Sequence, residues 1–188
     1  QRIYVCGGDN EDGDDLSSCE YLDVATKTWY SINPMKTPRC MISGVLFGDG
    51  KSFVICGGYN IGGDLSSCEK LDLSTHTFSN ITSLSTKRSS HATVLYLDSV
   101  VVIGGANGFV ADENCLSSCE EYNEDSDTWT EFPSLKKPRS DFGAAVVLDK
   151  IYVAGGLNPN PLNSVEVFDG SVWSILGSSL SAPRYGCA

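Results

Sequence analysis

Four glutamates recur along this 188-residue chain at near-equal steps, Glu20, Glu69, Glu120 and Glu166, and four arginines keep pace with them, Arg39, Arg88, Arg139 and Arg184. Carboxylates repeated in this way have two chemical uses. Two of them converging on one cleft can divide acid and base duties. A carboxylate held beside a guanidinium instead neutralises a charge that would be costly to bury alone. Period-two alternation puts Glu20 on the face of Leu22 and Glu166 on the face of Phe168. An acid that shares an apolar face four times over is read as half of a structural ion pair, with the repeated arginines as the other half.

Other reactive side chains are sparse. The only histidines, His76 and His91, stand apart from each other, and neither lies beside Cys115 and Cys119. Tetrahedral zinc wants four ligands, so no metal is expected. The acidic run Asp9, Glu11, Asp12, Asp14 and Asp15 fails as a calcium loop. With Gly13 at the obligatory glycine, Gly8 takes the first ligand position and Cys19 the place of the bidentate Glu. That run reads first as a hydrated loop and second as a docking point for a basic partner. A net charge of −11, with thirteen basic residues spread singly, argues against nucleic acid. The longest apolar runs, such as Val100–Ile103 and Ile151–Ala154, have strand length, far short of the roughly 20 residues that cross a bilayer.

What positions these residues is an internal repeat. Double glycines close apolar runs at Gly7-Gly8, Gly57-Gly58, Gly104-Gly105 and Gly155-Gly156, at steps of 50, 47 and 51 residues. An aromatic follows each pair (Trp29, Phe78, Trp129, Trp173), and the arginine comes ten or eleven residues later. Between glycines and aromatic lies Ser-Cys-Glu, which becomes Ser164-Val165-Glu166 in the fourth copy. Each unit reads as four short strands: one after the arginine, a second ending in Gly-Gly, the Ser-x-Glu strand and the aromatic strand. The units span about 1–38 (lacking its first strand), 39–87, 88–138 and 139–183, and 184–188 begins another first strand. Four-stranded antiparallel sheets repeating every fifty residues or so predict an all-β fold, a β-propeller with one blade per unit.

The same features carry a specific resemblance. A hydrophobic run, double glycine, Glu-bearing strand, tryptophan and Pro-Arg, almost intact in every copy, resembles the kelch repeat; the departures are Phe78 for Trp and Lys87 before Arg88. The chain is most similar to kelch domains of cytoplasmic adaptor proteins, and the resemblance implies a module that binds a protein or peptide, including the substrate receptor of a ubiquitin ligase. No catalytic residue, cofactor or metal is implied. A kelch-type enzyme with a site at the propeller axis and a purely architectural fragment are the other readings; the two isolated histidines do not supply a copper-oxidase site. Four repeats are fewer than such propellers usually carry, so the chain is expected to be part of a larger propeller, with exposed blade faces prone to self-association.

Register also sorts the cysteines. Cys6 and Cys56 share a slot with Ile103 and Ala154; Cys19, Cys68 and Cys119 share one with Val165. Thiols that interchange with small apolar residues are expected to be buried and reduced, which suits a cytoplasmic setting. The glycines are expected to admit a close backbone or indole, with the aromatics packed beside them.

Connectivity then places function. In an antiparallel four-stranded blade the chain enters strand one at the end where strand two exits, so the loops after Gly-Gly and the segments after the arginine share one face. In kelch domains like this one, partner peptides meet the residues just past each motif. Carried over, these are Asp9, Tyr59, Ala106 and Leu157, with Cys40, Ser89, Ser140 and Tyr185. An asparagine sits two residues past each second glycine: Asn10, Asn60, Asn107 and Asn158. These amides either cap turns or offer hydrogen bonds to a partner.

Overall fold

Short β-branched and aromatic runs bounded by Gly, Asp and Asn turns make strands here, and every named element of the computed structural model is a strand. The structure describes residues 1–48, 50–108 and 114–187. The first sheet is β1 (Arg2–Cys6), β2 (Cys19–Asp23) and β3 (Thr28–Ile32). The second begins with β4 (Ser43–Phe47) and β5 (Ser52–Cys56). A small hairpin, β6 (Tyr59–Asn60) and β7 (Gly63–Asp64), then precedes β8 (Cys68–Asp72) and β9 (Thr77–Ile81). The third is β10 (Ala92–Tyr96), β11 (Ser99–Ile103), β12 (Cys119–Asn123) and β13 (Thr128–Phe132). The fourth starts with β14 (Gly143–Val147) and β15 (Lys150–Ala154). A second hairpin, β16 (Leu157–Asn158) and β17 (Asn160–Pro161), leads to β18 (Val165–Phe168) and β19 (Trp173–Ile175). All pairings are antiparallel, in the strand order expected of blades, and the first sheet has three strands.

The core lies between blades rather than within one. Val102 and Val153, on the second strands of the third and fourth blades, are 0% exposed, whereas the matching Val5 of the first blade is 52% exposed. Facing the other way, Phe47 and Tyr96 are buried while their counterpart Val147 is exposed. Each sheet thus buries one face on the blade before it and one on the blade after it, and the outer faces of the first and last blades are open. At about 25 cal/mol per Å2, that interdigitation is the main stabilising term of the stack.

The double glycines are where adjacent blades touch. Gly58, Gly105 and Gly156 each donate their N–H to the carbonyl of the following unit's arginine, Arg88, Arg139 and Arg184, at 2.8–2.9 Å. A Cβ on Gly57 (φ +58°) would lie 2.4 Å from the Arg88 carbonyl oxygen. Here close approach and left-handed backbone both demand glycine.

The aromatics lie elsewhere than expected. Trp129 pairs with Tyr122 and Trp173 with Phe168, at the blade end away from the glycines. Their indole nitrogens donate 2.8 Å bonds to the carbonyls of Thr82 and Pro133 in the preceding blade. The nearest neighbour of Gly7, Gly57, Gly104, Gly105, Gly155 and Gly156 is a backbone carbonyl, and the indole ties blades at the outer edge instead. Burial follows the stack: Trp173 is 2% exposed and Trp29, with no blade before it, 50%. Phe78 is half-buried opposite Leu71.

Candidate functional site

Three arginines build the frame of the face that carries the loops. Arg39, wholly buried, donates from Nη1 to the carbonyls of Gly57 (2.7 Å) and Ser67 (2.9 Å) and from Nη2 to Ser67 Oγ (3.1 Å) and Glu69 Oε1 (2.9 Å). Arg88 does the same with Gly104, Ser118 and Glu120, and Arg139 with Gly155, Ser164 and Glu166. The serine of the Ser-x-Glu motif is therefore a ligand of the arginine. Each glutamate also accepts two backbone N–H groups from the link out of the preceding blade, Lys36 and Thr37 at Glu69, Ser85 and Thr86 at Glu120, Lys136 and Lys137 at Glu166. With each carboxylate spent on one guanidinium and two amides, acid–base chemistry has no support in this geometry.

The fourth pair does not form. An arginine bonds the glutamate of its own unit, about thirty residues later, so Glu20 and Arg184 stand at opposite ends of the stack. Both are exposed; Glu20 has only a 3.5 Å contact from Ser31 Oγ, and Arg184 turns Nε back to the Ala182 carbonyl. Nor is a strand present over residues 184–187, though their backbone follows the repeat; Ala188 lies outside the described residues.

The arginine clamp fixes the backbone on its C-terminal side. Reciprocal backbone hydrogen bonds join Cys40 with Tyr59, Ser89 with Ala106 and Ser140 with Leu157, at 2.9–3.2 Å. The residues after Arg and after Gly-Gly thus meet on one face in three blades. Their side chains are less available than expected: Cys40, Ser89, Ser140 and Ala106 are buried, Leu157 is half-buried, and Asp9, Tyr59 and Tyr185 are exposed. Of the loop 106–114, residues 109–113 lie outside the described residues.

The residues that open onto the face are the next ones along, Met41, Ser90 and Asp141. Ser90 N–H donates to the Met41 carbonyl (3.0 Å), Asp141 N–H to the Ser90 carbonyl (2.9 Å) and Gly186 N–H to the Asp141 carbonyl (2.8 Å). This blade-to-blade belt requires left-handed backbone at every member, φ +48°, +50°, +52° and +65°. The sequence carried one signal of it: Gly186 in register with Met41, Ser90 and Asp141, a glycine exchanging with side-chain residues. Beside the belt lies a cavity of about 490 Å3, lined by Met41, Tyr59, Asp64, Ser89, Ser90 and Asp141 with Gly63 and Gly108.

Adjacent loops are linked through carboxylates. Asp15 Oδ2 accepts from Ile61 N–H (2.9 Å) and Asp64 Oδ2 from Gly108 N–H (2.7 Å). In the third unit Cys115 takes that slot and its thiol donates to the Leu157 carbonyl. Two of the four asparagines shape their loops: Asn10 Oδ1 accepts from the N–H of Asp12 and Asp14, and Asn60 Oδ1 from Gly62, with Asn60 Nδ2 donating to the Pro38 carbonyl. Asn107 and Asn158 make no comparable side-chain bond among the described residues.

Beneath the face, apart from the clamps, burial holds His91 and several thiols neutral. His91, in the slot of Phe142 and Ile42, is buried with neither ring nitrogen hydrogen-bonded, and burial with the charges of Arg88 and Arg39 lowers its pKa to about 3. Burial pushes the thiol of Cys119 up to about 11, that of Cys40 to about 11 with help from Asp15, and that of Cys56 well above its ordinary value. Cys6 faces Cys19 and Cys56 faces Cys68 across paired strands, all as free thiols. Cys6 is only half-buried, contrary to expectation: it packs towards Ile55 of the second blade, but its strand β1 is the open edge of a three-stranded sheet. Among the described residues no cluster of His, Cys, Asp or Glu has metal-holding geometry, and no helix is long and apolar enough to cross a membrane.

Comparison with known proteins agrees with this architecture. The profile described as "KLHDC2/KLHL20/DRC7 Kelch-repeats domain" matches residues 1–156, and the kelch motif matches 138–179. Kelch-like protein 41b of Danio rerio is 29% identical over 183 residues, covering 92% of this chain and 29% of its own length. Kelch-like protein 41a of the same fish is 31% identical over 175 residues, covering 89% and 28%. The chain thus spans under a third of these relatives. In the solved structure titled "Structure of YjhT", the fold is shared with a TM-score of 0.82 at 14% identity, over 98% of this chain and 64% of that one. Sheets, arginine clamps and sequence matches agree, and the chain belongs to the kelch-repeat family of β-propellers.

Proposed function

We propose that this chain is a protein-interaction module that recruits a partner or substrate protein through the face bearing the post-glycine loops and the segments after the arginines. The observation that carries this is the backbone pairing of Cys40, Ser89 and Ser140 with Tyr59, Ala106 and Leu157, which seats variable loops on an invariant frame around one cavity. Such loops are where recognition evolves on a rigid scaffold. Relatives named kelch-like protein and kelch repeat and BTB domain-containing protein support an adaptor role, that of a cytoplasmic ubiquitin-ligase substrate receptor. The loop residues Asp9, Glu11, Asp12, Asp14, Asp15 and Asp64 favour a basic partner. The binding set comprises Asp9, Asn10, Tyr59, Asn60, Asn107, Leu157, Asn158 and Tyr185 together with Met41, Ser90 and Asp141, over the buried pairs beneath.

The test is affinity capture with the chain against a variant whose residues 9–15 and 157–161 are replaced by Gly-Ser runs of equal length. Loss of the specific binders with an unchanged melting temperature is expected; an unaltered set of binders refutes the reading. The open outer faces of the first and last blades support a place within a larger propeller, covered by further sheets of the same kind. Self-association of the isolated chain in light scattering is expected, and a stable monomer of 20.1 kDa at micromolar concentration contradicts it.

A further inference from the structure

We infer that the cavity beside the belt is a site for an arginine side chain of the partner, seated between Asp64 and Asp141 against the hydroxyl of Ser89. The inference deepens the interaction-face reading and rests on it.

Three observations define the chemistry. First, Ser89 is 6% exposed and lines the cavity, yet its hydroxyl has no hydrogen-bond partner among the described residues. Its counterparts are both engaged: the Cys40 thiol points to the Tyr59 carbonyl, and Ser140 Oγ donates to Asp141 Oδ2. The Ser89 hydroxyl is thus left free to accept from a donor that enters the cavity.

Second, the cavity holds two carboxylates and no cation. Asp64 is bonded through Oδ2 to the Gly108 amide and Asp141 through Oδ2 to Ser140, and among the described residues no ion pair involves either. The post-glycine loops and post-arginine segments contain no lysine or arginine. The arginines that precede these segments, Arg39, Arg88 and Arg139, are buried in their clamps, and Arg184 turns its Nε back to the Ala182 carbonyl.

Third, the mouth is apolar on one side, where Met41 (59% exposed) and the Tyr59 ring stand. A guanidinium carries five N–H donors in one plane, enough for two carboxylates and a hydroxyl at once, and its plane and methylene stem suit an aromatic ring and a thioether. An ammonium has three donors, is a compact point charge and is more strongly hydrated, so lysine fits less well.

The experiment is a ligand-observed saturation-transfer NMR titration of the chain with N-acetyl-arginine amide, N-acetyl-lysine amide and N-acetyl-citrulline amide, the last a neutral near-isostere of arginine. Saturation by the arginine amide at about millimolar concentration, the range for one anchored side chain, is expected. The citrulline amide should bind at least about 10-fold more weakly, since only charge-assisted hydrogen bonds are lost. Asp141→Asn should weaken the arginine amide by at least about 5-fold. Ser89→Ala should weaken it while leaving the melting temperature unchanged or higher, because the native hydroxyl has no partner to lose; a merely structural serine would not give that split. Equal binding of the citrulline amide, binding of the lysine amide as tight as that of arginine, or indifference to both variants overturns the assignment. No saturation by the arginine amide, while the loop-replacement capture still loses its partners, removes this site and leaves the wider face standing. Failure of both removes the two together.

Discussion

Replacing Glu69 by alanine tests the frame at its most demanding point. The carboxylate is 1% exposed and receives the Arg39 guanidinium at 2.9 Å together with the Lys36 and Thr37 amides at 2.8 and 3.1 Å. After Glu69→Ala, Arg39 keeps four neutral acceptors, the carbonyls of Thr37, Gly57 and Ser67 and Ser67 Oγ, but stays buried with its charge uncompensated. Breaking a buried pair from one side costs about 3–5 kcal/mol. The two amides add little, since Lys36 is exposed and water can replace their acceptor. Glu20→Ala is the internal control, the same motif position without an arginine, and an exposed group of this kind should lie within about 0.5 kcal/mol of wild type. Equilibrium urea unfolding, followed by near-UV dichroism, reads both variants through the midpoint and slope. Stacked repeats couple mainly to their nearest neighbours, so hydrogen exchange at the Gly57 and Gly58 amides should report the local opening as well. A loss below about 1 kcal/mol for Glu69→Ala, or equal losses for the two variants, would refute the clamp as a buried ion pair.

Three further outcomes rest on particular contacts. His91 has a folded pKa of about 3 against roughly 6.5 unfolded. Between these values the unfolded chain binds the extra proton, so the contribution is full above pH 6.5 and is lost as pH falls towards 3. Urea midpoints from pH 4 to 7 should therefore show a wild-type slope exceeding that of His91→Phe by up to about 1.4 kcal/mol per pH unit, and parallel slopes would contradict the burial of a neutral ring. Gly58 and Gly8 share φ near +96° to +99°, but a Cβ meets Ile42 and the Cys40 carbonyl at Gly58 and nothing at Gly8. Gly58→Ala should therefore cost about 1–3 kcal/mol more than Gly8→Ala, a difference that isolates the clash from the shared backbone strain. Alkylation of native protein should label Cys187 and Cys6 first, with Cys56, Cys68, Cys19 and Cys119 reacting only on unfolding; early labelling of Cys56 or Cys68 would mean the second blade is open.

Much of the frame was legible because repetition multiplies weak signals. One Gly-Gly says little, but four in register with Glu, aromatic and Arg predict sheet order, strand bounds and the face shared by loops and arginines. What stayed hidden depends on which blade touches which. Arg39 bonding Glu69 rather than Glu20 follows from wrapping within one sheet, a pairing that equal spacing leaves open. The exposure of Val5, Trp29 and Glu20 follows from the absence of a preceding blade against β1, though each obeys the pattern of its buried counterparts. The indole's true neighbour, a carbonyl in the previous blade, likewise belongs to the packing between units. Met41, Ser90 and Asp141 were obscured because their shared property is a backbone angle, visible in sequence only through Gly186.

The arginine clamps also explain how an acidic chain keeps a basic residue in every repeat without blunting its surface. Arg39, Arg88 and Arg139 are consumed by Glu69, Glu120 and Glu166, so the frame is electrically neutral inside the protein. Setting three of each aside leaves 10 basic and 21 acidic residues outside the clamps, from totals of 13 and 24. The buried arginines therefore contribute rigidity to the loop-bearing face but no compensating charge on it. Field at the loops is set by Asp9 to Asp15, Asp64 and Asp141, and it extends about 8 Å at physiological ionic strength. A basic partner would be drawn to that face from solution, then held by contacts that the clamped backbone keeps in place. Under the proposed function, frame and surface can vary independently: loop substitutions would alter the partner without touching the clamp, and substitutions in the clamp would alter stability before specificity.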